Sequence, residues 1–95
     1  YNLPIWMTEF SLIAMGGNYI AWAQLMHDLI ANYDVSAVMY MWGYFGQWDG
    51  DRSMLIQINN SGGMYQGFTP LKTLYTMGQF AKFIPPGSTR VGVSY

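Results

Sequence analysis

The chain has 95 residues, with four Lys or Arg, five Asp or Glu and one His, and a net charge of −1. Hydrophobic residues make up 52% and charged residues 9%, against roughly 25% charged in ordinary soluble domains, which excludes disorder and a charge-driven nucleic-acid partner. So few charges cannot cover the surface that a globule of this length leaves in water, so the chain is expected to pack against more protein. Cysteine is absent, which removes disulfides and cysteine-based metal or nucleophile chemistry. The first residue is Tyr1, with no initiator Met, basic leader or cleavage pattern, and the expectation is a start inside a longer protein. Gln24, His27 and Asp28 interrupt the first long apolar stretch and Gly43 and Gly46 the second, so no membrane span is expected.

In chain order, residues 3–10 (LPIWMTEF) read as a buried strand that ends near Glu9. From Asn18 to about Tyr33, Trp22, Leu25, Met26, Leu29, Ile30 and Tyr33 recur at helical spacing, with Asn18 as N-cap and Gln24, His27, Asp28 and Ala31 on the other face. Residues 37–42 (AVMYMW) lack alternation, as a strand covered on both faces does. Strand, helix and strand make a βαβ unit.

Residues 43–68 are rich in Gly, Asn, Asp and Ser and read as a long loop, with a short strand at 54–58 before the turn at 59–63. A second helix is expected from Thr69 as cap and Pro70 as first residue to about Phe83. On it Leu71, Leu74, Tyr75, Met77 and Ala81 share one side, whereas Phe80, Phe83 and Ile84 point to another neighbour. Pro85-Pro86-Gly87 ends it, and Thr89, Val91, Val93 and Tyr95 alternate with small or polar residues as a half-buried strand does.

The order βαβα suggests two consecutive units of a parallel α/β barrel or doubly wound sheet, in which function gathers at the carboxyl ends of the strands. All five acids lie within residues 1–51, and Glu9, the one Glu, ends the first strand. A carboxylate set among bulky apolar neighbours is costly to bury unless a hydrogen-bonded site holds it. His27 has no second His or Cys to share a metal with and reads as a surface residue; no metal site and no cofactor are expected.

Trp6-Met7-Thr8-Glu9, the helix with Met26-His27, the strand Met39-Tyr40-Met41-Trp42, Leu55-Ile56, and above all the segment 75–91 (YTMGQFAKFIPPGSTRV) resemble glycoside hydrolase family 30 in content and order. That family comprises retaining β-glycosidases: xylanases, endo-β-1,6-glucanases, galactanases and glucosylceramidase-like enzymes. Ala81 and Pro85 stand where the family usually has Ser and Arg. The resemblance implies strands seven and eight of a (β/α)8 TIM barrel over residues 1–86, with 87–95 entering an appended β-sandwich domain. It implies that Glu9 is the nucleophile of a glycosyl-enzyme intermediate, and that its acid/base partner ends the fourth strand, upstream of Tyr1. Asp49 and Asp51 match no catalytic position of the family and read as turn formers.

By the same resemblance Trp42 is the aromatic floor beneath the sugar, with Tyr44 and Trp48 extending the cleft wall in its loop. The expected substrate is a polysaccharide, xylan or a β-1,6-linked glycan, acted on outside the cell, and the expected partners are that carbohydrate and the remainder of the barrel. Arg52 is a cation near the site, but its surroundings do not reproduce the family's way of recognising a glucuronic acid branch. The 95-residue chain alone is expected to be inactive, because the retaining mechanism needs two carboxylates. A non-catalytic carbohydrate-binding or interaction domain using Trp42, Tyr44 and Trp48 is the alternative reading.

Overall fold

The computed structural model describes residues 3–46 and 53–92. The elements, in chain order, are strand β1 (Ile5–Phe10), a 3₁₀ turn (Leu12–Met15), helix α1 (Tyr19–Ala31), strands β2 (Val35–Tyr40), β3 (Tyr44–Gly46), β4 (Ile56–Ser61) and β5 (Met64–Pro70), and helix α2 (Lys72–Ala81). β1 and β2 pair in parallel, and a separate sheet has the order β3-β4-β5, its first pair parallel and its second antiparallel. The described residues form a small mixed α/β structure with two sheets and two helices.

Helix α1 begins where the sequence places it. The Asn18 side-chain oxygen accepts from the backbone N–H of Ile20 at 3.0 Å and of Ala21 at 3.1 Å, which satisfies two donors that an uncapped helix leaves without partners. Trp22, Met26 and Leu29 recur at i, i+4 and i+7 and are the residues this helix buries. Trp22 and Met26 join Phe10 and Leu12 in one core cluster, against which Met7, Val38 and Tyr40 of the sheet and Met77 and Phe80 of α2 also pack. Both helices therefore cover the same face of the β1/β2 pair.

Strand β1 departs from the expectation of a buried strand, and β2, which spans Val35–Tyr40 and leaves Met39 exposed, from that of cover on both faces. In β1 only Phe10 is buried and Met7 half-buried, whereas Ile5 and Trp6 are 56% and 58% exposed. The register explains which side chains turn inward. Met7 pairs with Val38 and Phe10 with Tyr40, so three steps along β1 match two along β2, and one extra residue sits between Met7 and Phe10. This bulge brings Met7 and Phe10 onto the helix-covered face although they are an odd number of residues apart, and leaves Thr8 and Glu9 exposed.

The span read as a long loop folds into strands. Gly62 and Gly63, with φ of 57° and 79°, form the two-residue turn that joins β4 to β5, a backbone that L side chains rarely adopt and that glycine enters without steric cost. Thr69 and Pro70 close β5 and do not start α2; Leu71 occupies the cap position, with no side-chain cap. Pro70 needs no N–H partner at the end of an edge strand, so its proline serves as a strand terminator here. In α2 the fully buried residue is Thr73, whose hydroxyl donates to the Met54 carbonyl at 2.5 Å, while Tyr75 is exposed. Met77 and Phe80, expected on different sides, meet the same cluster.

After α2, Pro85-Pro86-Gly87-Ser88 forms a turn closed by the Ser88 N–H donating to the Pro85 carbonyl at 3.1 Å, with φ of 86° at Gly87. Residues 88–92 form no strand, contrary to the alternation in the sequence, and they are exposed; 93–95 lie outside the described residues. Alternation alone does not make a strand where no sheet edge is offered. Arg90 instead reaches back to α1, donating to the carbonyls of Ile30 at 2.9 Å and Ala31 at 2.6 Å and pairing with Asp34 at 2.9 Å. It thereby satisfies carbonyls left open at the helix end.

The accessible surface is 7213 Å², against about 5500 Å² for a compact monomer of this mass. The radius of gyration is 15.7 Å, against about 12 Å for a compact chain of this length. No helix among the described residues is long and apolar enough to cross a membrane.

Candidate functional site

Glu9 and Trp42 reach the same end of the parallel sheet. Phe10, directly after Glu9, pairs with Tyr40, and its carbonyl accepts from the Met41 N–H at 2.9 Å, so Trp42 lies one residue beyond the last rung of that ladder. Because the strands are parallel, this is the carboxyl end of both, where an open face and the connecting loops meet. Glu9 is exposed, and Trp42 is 41% exposed.

Four hydrogen bonds stitch the two strand ends together. The Leu12 N–H donates to the Tyr40 hydroxyl at 3.1 Å and the Ile13 N–H to the Ser53 hydroxyl at 3.1 Å. The Tyr40 hydroxyl donates to the Ser53 carbonyl, and the Met41 N–H bonds Phe10 as described. Ser53 is 2% exposed, and together these bonds tie the segment that follows Glu9 to the segment that follows Trp42. Tyr40 also packs its ring 4.9 Å from Trp22 and 6.4 Å from Phe10, so the core fixes the residue that holds the two loops. The sequence pattern marks Tyr40 only as one of several apolar strand residues, and its bridging hydroxyl is not legible there.

The Trp42 ring rests 5.2 Å from that of Phe45, tilted by 45°. Trp42 is absent from the core cluster, so its indole keeps an open face. From Trp42 the backbone passes directly into the second sheet: the Leu55 N–H donates to the Trp42 carbonyl at 3.0 Å and the Ile56 N–H to the Gly43 carbonyl at 3.0 Å. Tyr44 begins β3 and is 72% exposed. Trp48, Asp49, Asp51 and Arg52 lie outside the described residues.

The other described acids stand elsewhere. Asp34 precedes Val35, the first residue of β2, and therefore lies at the amino end of the sheet, roughly 17 to 20 Å of strand away from the Glu9 end. Asp28 is in the last turn of α1 beside His27, whose Nδ1 is 3.3 Å from its carboxylate, and it accepts from the Asn32 amide at 2.9 Å. His27 is 67% exposed at its side chain. Among the described residues, no three His, Cys, Asp or Glu side chains come together as a metal would need. The arrangement thus offers one carboxylate, a tilted aromatic pair and an exposed Tyr at a strand end, the elements of a site that binds a flat apolar ligand face beside a nucleophile or base.

No protein-family profile matches this chain, and no solved structure matches it.

Proposed function

We propose that this chain is the C-terminal part of a (β/α)8 barrel in a retaining β-glycosidase resembling glycoside hydrolase family 30, with Glu9 as the nucleophile and Trp42 as the sugar platform. The observation that carries the reading is the placement of Glu9 and Trp42 at the same, carboxyl end of a parallel βαβ unit, with both helices packed on one face of the sheet. A barrel needs that asymmetry, with helices outside and strand ends open to substrate. The surface in excess of a compact monomer, with Trp6 and Met39 exposed on the strands, supports packing against the remaining barrel strands.

In this reading the Glu9 carboxylate attacks the anomeric carbon as the glycosidic bond breaks, and the leaving oxygen takes a proton from a second carboxylic acid about 5 to 5.5 Å away. Water then attacks the glycosyl-enzyme ester, with the second residue acting as base, and the free sugar leaves with its configuration retained. Asp28 and Asp34 are at the wrong end to supply that acid. It belongs to a part of the protein beyond the described residues. The register shift between Met7 and Phe10 leaves Glu9 exposed and reachable by a substrate in this reading. The substrate class, xylan or a β-1,6-linked glycan acted on outside the cell, rests on the family resemblance alone.

The test is Glu9→Gln in the protein that carries this chain, measured on a panel of β-linked polysaccharides. Turnover should fall by on the order of 10³ or more while the folded protein and its glycan binding persist. Turnover near that of the unaltered protein would remove Glu9 from the role.

A further inference from the structure

The Trp42–Phe45 pair does not stand alone. Phe45 pairs in register with Gln57, and Gln57 with Thr69, so the three side chains lie side by side on one face of the β3-β4-β5 sheet. Asn59, two residues along β4, joins them: the Gln57 amide donates to the Asn59 carbonyl oxygen at 2.9 Å, and the Asn59 amide donates to the Thr69 hydroxyl at 2.9 Å. The opposite face carries Tyr44, Ile56, Ile58, Phe68 and Pro70. One side of this sheet is apolar, and the other is a row of two amides and a hydroxyl beginning at an aromatic pair.

We infer that the Gln57-Asn59-Thr69 row is a binding subsite for a neutral glycan, continuing the aromatic platform of Trp42 and Phe45 outward along the second sheet. The inference rests on the reading of Trp42 as a sugar platform and extends it to residues that neither the sequence pattern nor the family resemblance assigns to a binding site.

Three properties of the row select this ligand chemistry. First, none of the residues 44–46 and 56–70 is Asp, Glu, Lys or Arg, so among the described residues of this sheet no side chain offers a charged partner to a phosphate, a carboxylate or an ammonium group. A charged polymer would lose hydration here with no ionic partner in return. Second, each amide bonded within the row uses one N–H of two, and each amide oxygen has two lone pairs, so the row keeps both donors and acceptors facing outward. A sugar hydroxyl is itself donor and acceptor, and neighbouring hydroxyls on a ring match an amide that offers both. Third, the mutual bonds hold the side chains in place before a ligand arrives, which lowers the entropy lost on binding.

The dimensions suit a chain and not a single ring. Phe45, Gln57 and Thr69 sit on three neighbouring strands and span roughly 10 Å at the usual strand spacing, beyond the 5.2 Å between the Trp42 and Phe45 rings. A glycan with one sugar on Trp42 would run its next units across the row. Gln57 and Asn59 are half-buried and Thr69 is exposed, so the groups are both positioned and reachable.

The experiment titrates the protein that carries this chain, in its Glu9→Gln form so that the ligand stays intact, with xylohexaose and with a β-1,6-glucan hexasaccharide, following tryptophan fluorescence and heat of binding. Gln57→Ala and Asn59→Ala should each weaken binding of one of these hexasaccharides by about five- to tenfold, with a disaccharide of the same linkage bound as before. Thr69→Val keeps the shape of the strand residue and should weaken binding in the same direction, which covers the case in which an amide variant folds poorly. Hexasaccharide affinities unchanged when each of the three substitutions is added to Glu9→Gln, or no binding of either hexasaccharide by Glu9→Gln itself, would overturn the subsite. Hydrolysis separates this result from the catalytic reading: it should fall by on the order of 10³ or more in Glu9→Gln and persist, with weaker substrate binding, in Gln57→Ala on the Glu9 background. Persistent hydrolysis in Glu9→Gln with binding lost in Gln57→Ala would sink the nucleophile and keep the subsite.

Discussion

The β1-α1-β2 unit and the β3-β4-β5 sheet use the same kinds of residues to opposite ends. In the first, α1 lays Trp22 and Met26 against Phe10 and Leu12 and closes a core with a tilted cluster of three aromatic rings. In the second, Tyr44, Met64, Tyr65 and Phe68 stay between 60% and 72% exposed. A helix over one sheet face turns large apolar side chains into stability, whereas the same side chains on an uncovered sheet become a surface for something else to meet. The candidate site sits at the seam, where Tyr40 and Ser53 bind the rigid unit to the start of the open one.

The sharpest way to break this contrast is in the core of the rigid unit. Trp22 is fully buried, and its replacement by Ala should cost about 3 to 5 kcal/mol, read as a fall in the denaturation midpoint. Among the described residues its Nε1 finds no hydrogen-bond partner, so Trp22→Phe should cost clearly less, because it keeps most of the ring and removes a buried donor. Equal losses for the two variants would mean that the indole N–H is satisfied in solution.

Trp42 gives the complementary result. Because it leans on Phe45 and stands outside the core cluster, Trp42→Ala should lower catalytic efficiency by several-fold to a hundred-fold with little change in melting temperature. A loss of stability on the scale of Trp22→Ala, with kinetics unchanged in the folded fraction, would make it a packing residue. The smallest effect belongs to Arg90. Its ion pair with Asp34 joins side chains 52% and 79% exposed, so Arg90→Ala should cost no more than about 1 kcal/mol, most of it from the lost bonds to the Ile30 and Ala31 carbonyls. Limited proteolysis should then cut first after Lys82 or within 85–92, and an unchanged cutting pattern would show that Arg90 does not hold this segment.

What was legible in the sequence follows the same division. The period of α1 and its Asn18 cap are local signals, and the structure starts that helix and buries Trp22, Met26 and Leu29 as they imply, although it ends at Ala31 and leaves Tyr33 exposed. The two strands flanking it were legible as a parallel pair through the strand-helix-strand order. Their bare faces were not, because an apolar strand reads as covered whether or not the cover is at hand. The β4–β5 hairpin escaped because Gln57, Asn59, Asn60, Ser61 and Gln66 give it no apolar alternation; Gly62-Gly63 was a turn signal without readable strands on either side. Thr69-Pro70 is a good helix start by composition, yet the strand pairing of Thr69 with Gln57 and Pro70 with Ile56 claims both residues. Of the candidate site, the placement of Glu9 and Trp42 near strand ends was legible, while the Tyr40 and Ser53 stitches and the amide row depend on pairing across distances that no local pattern encodes.

The most direct test of Glu9 as nucleophile is covalent. A mechanism-based fluorosugar incubated with the protein that carries this chain should form a stable glycosyl ester, and peptide mass spectrometry should place the added mass on Glu9 and on no other carboxylate. A label on a different Asp or Glu, or an enzyme that hydrolyses its glycan with no ester ever forming on Glu9, would contradict the account.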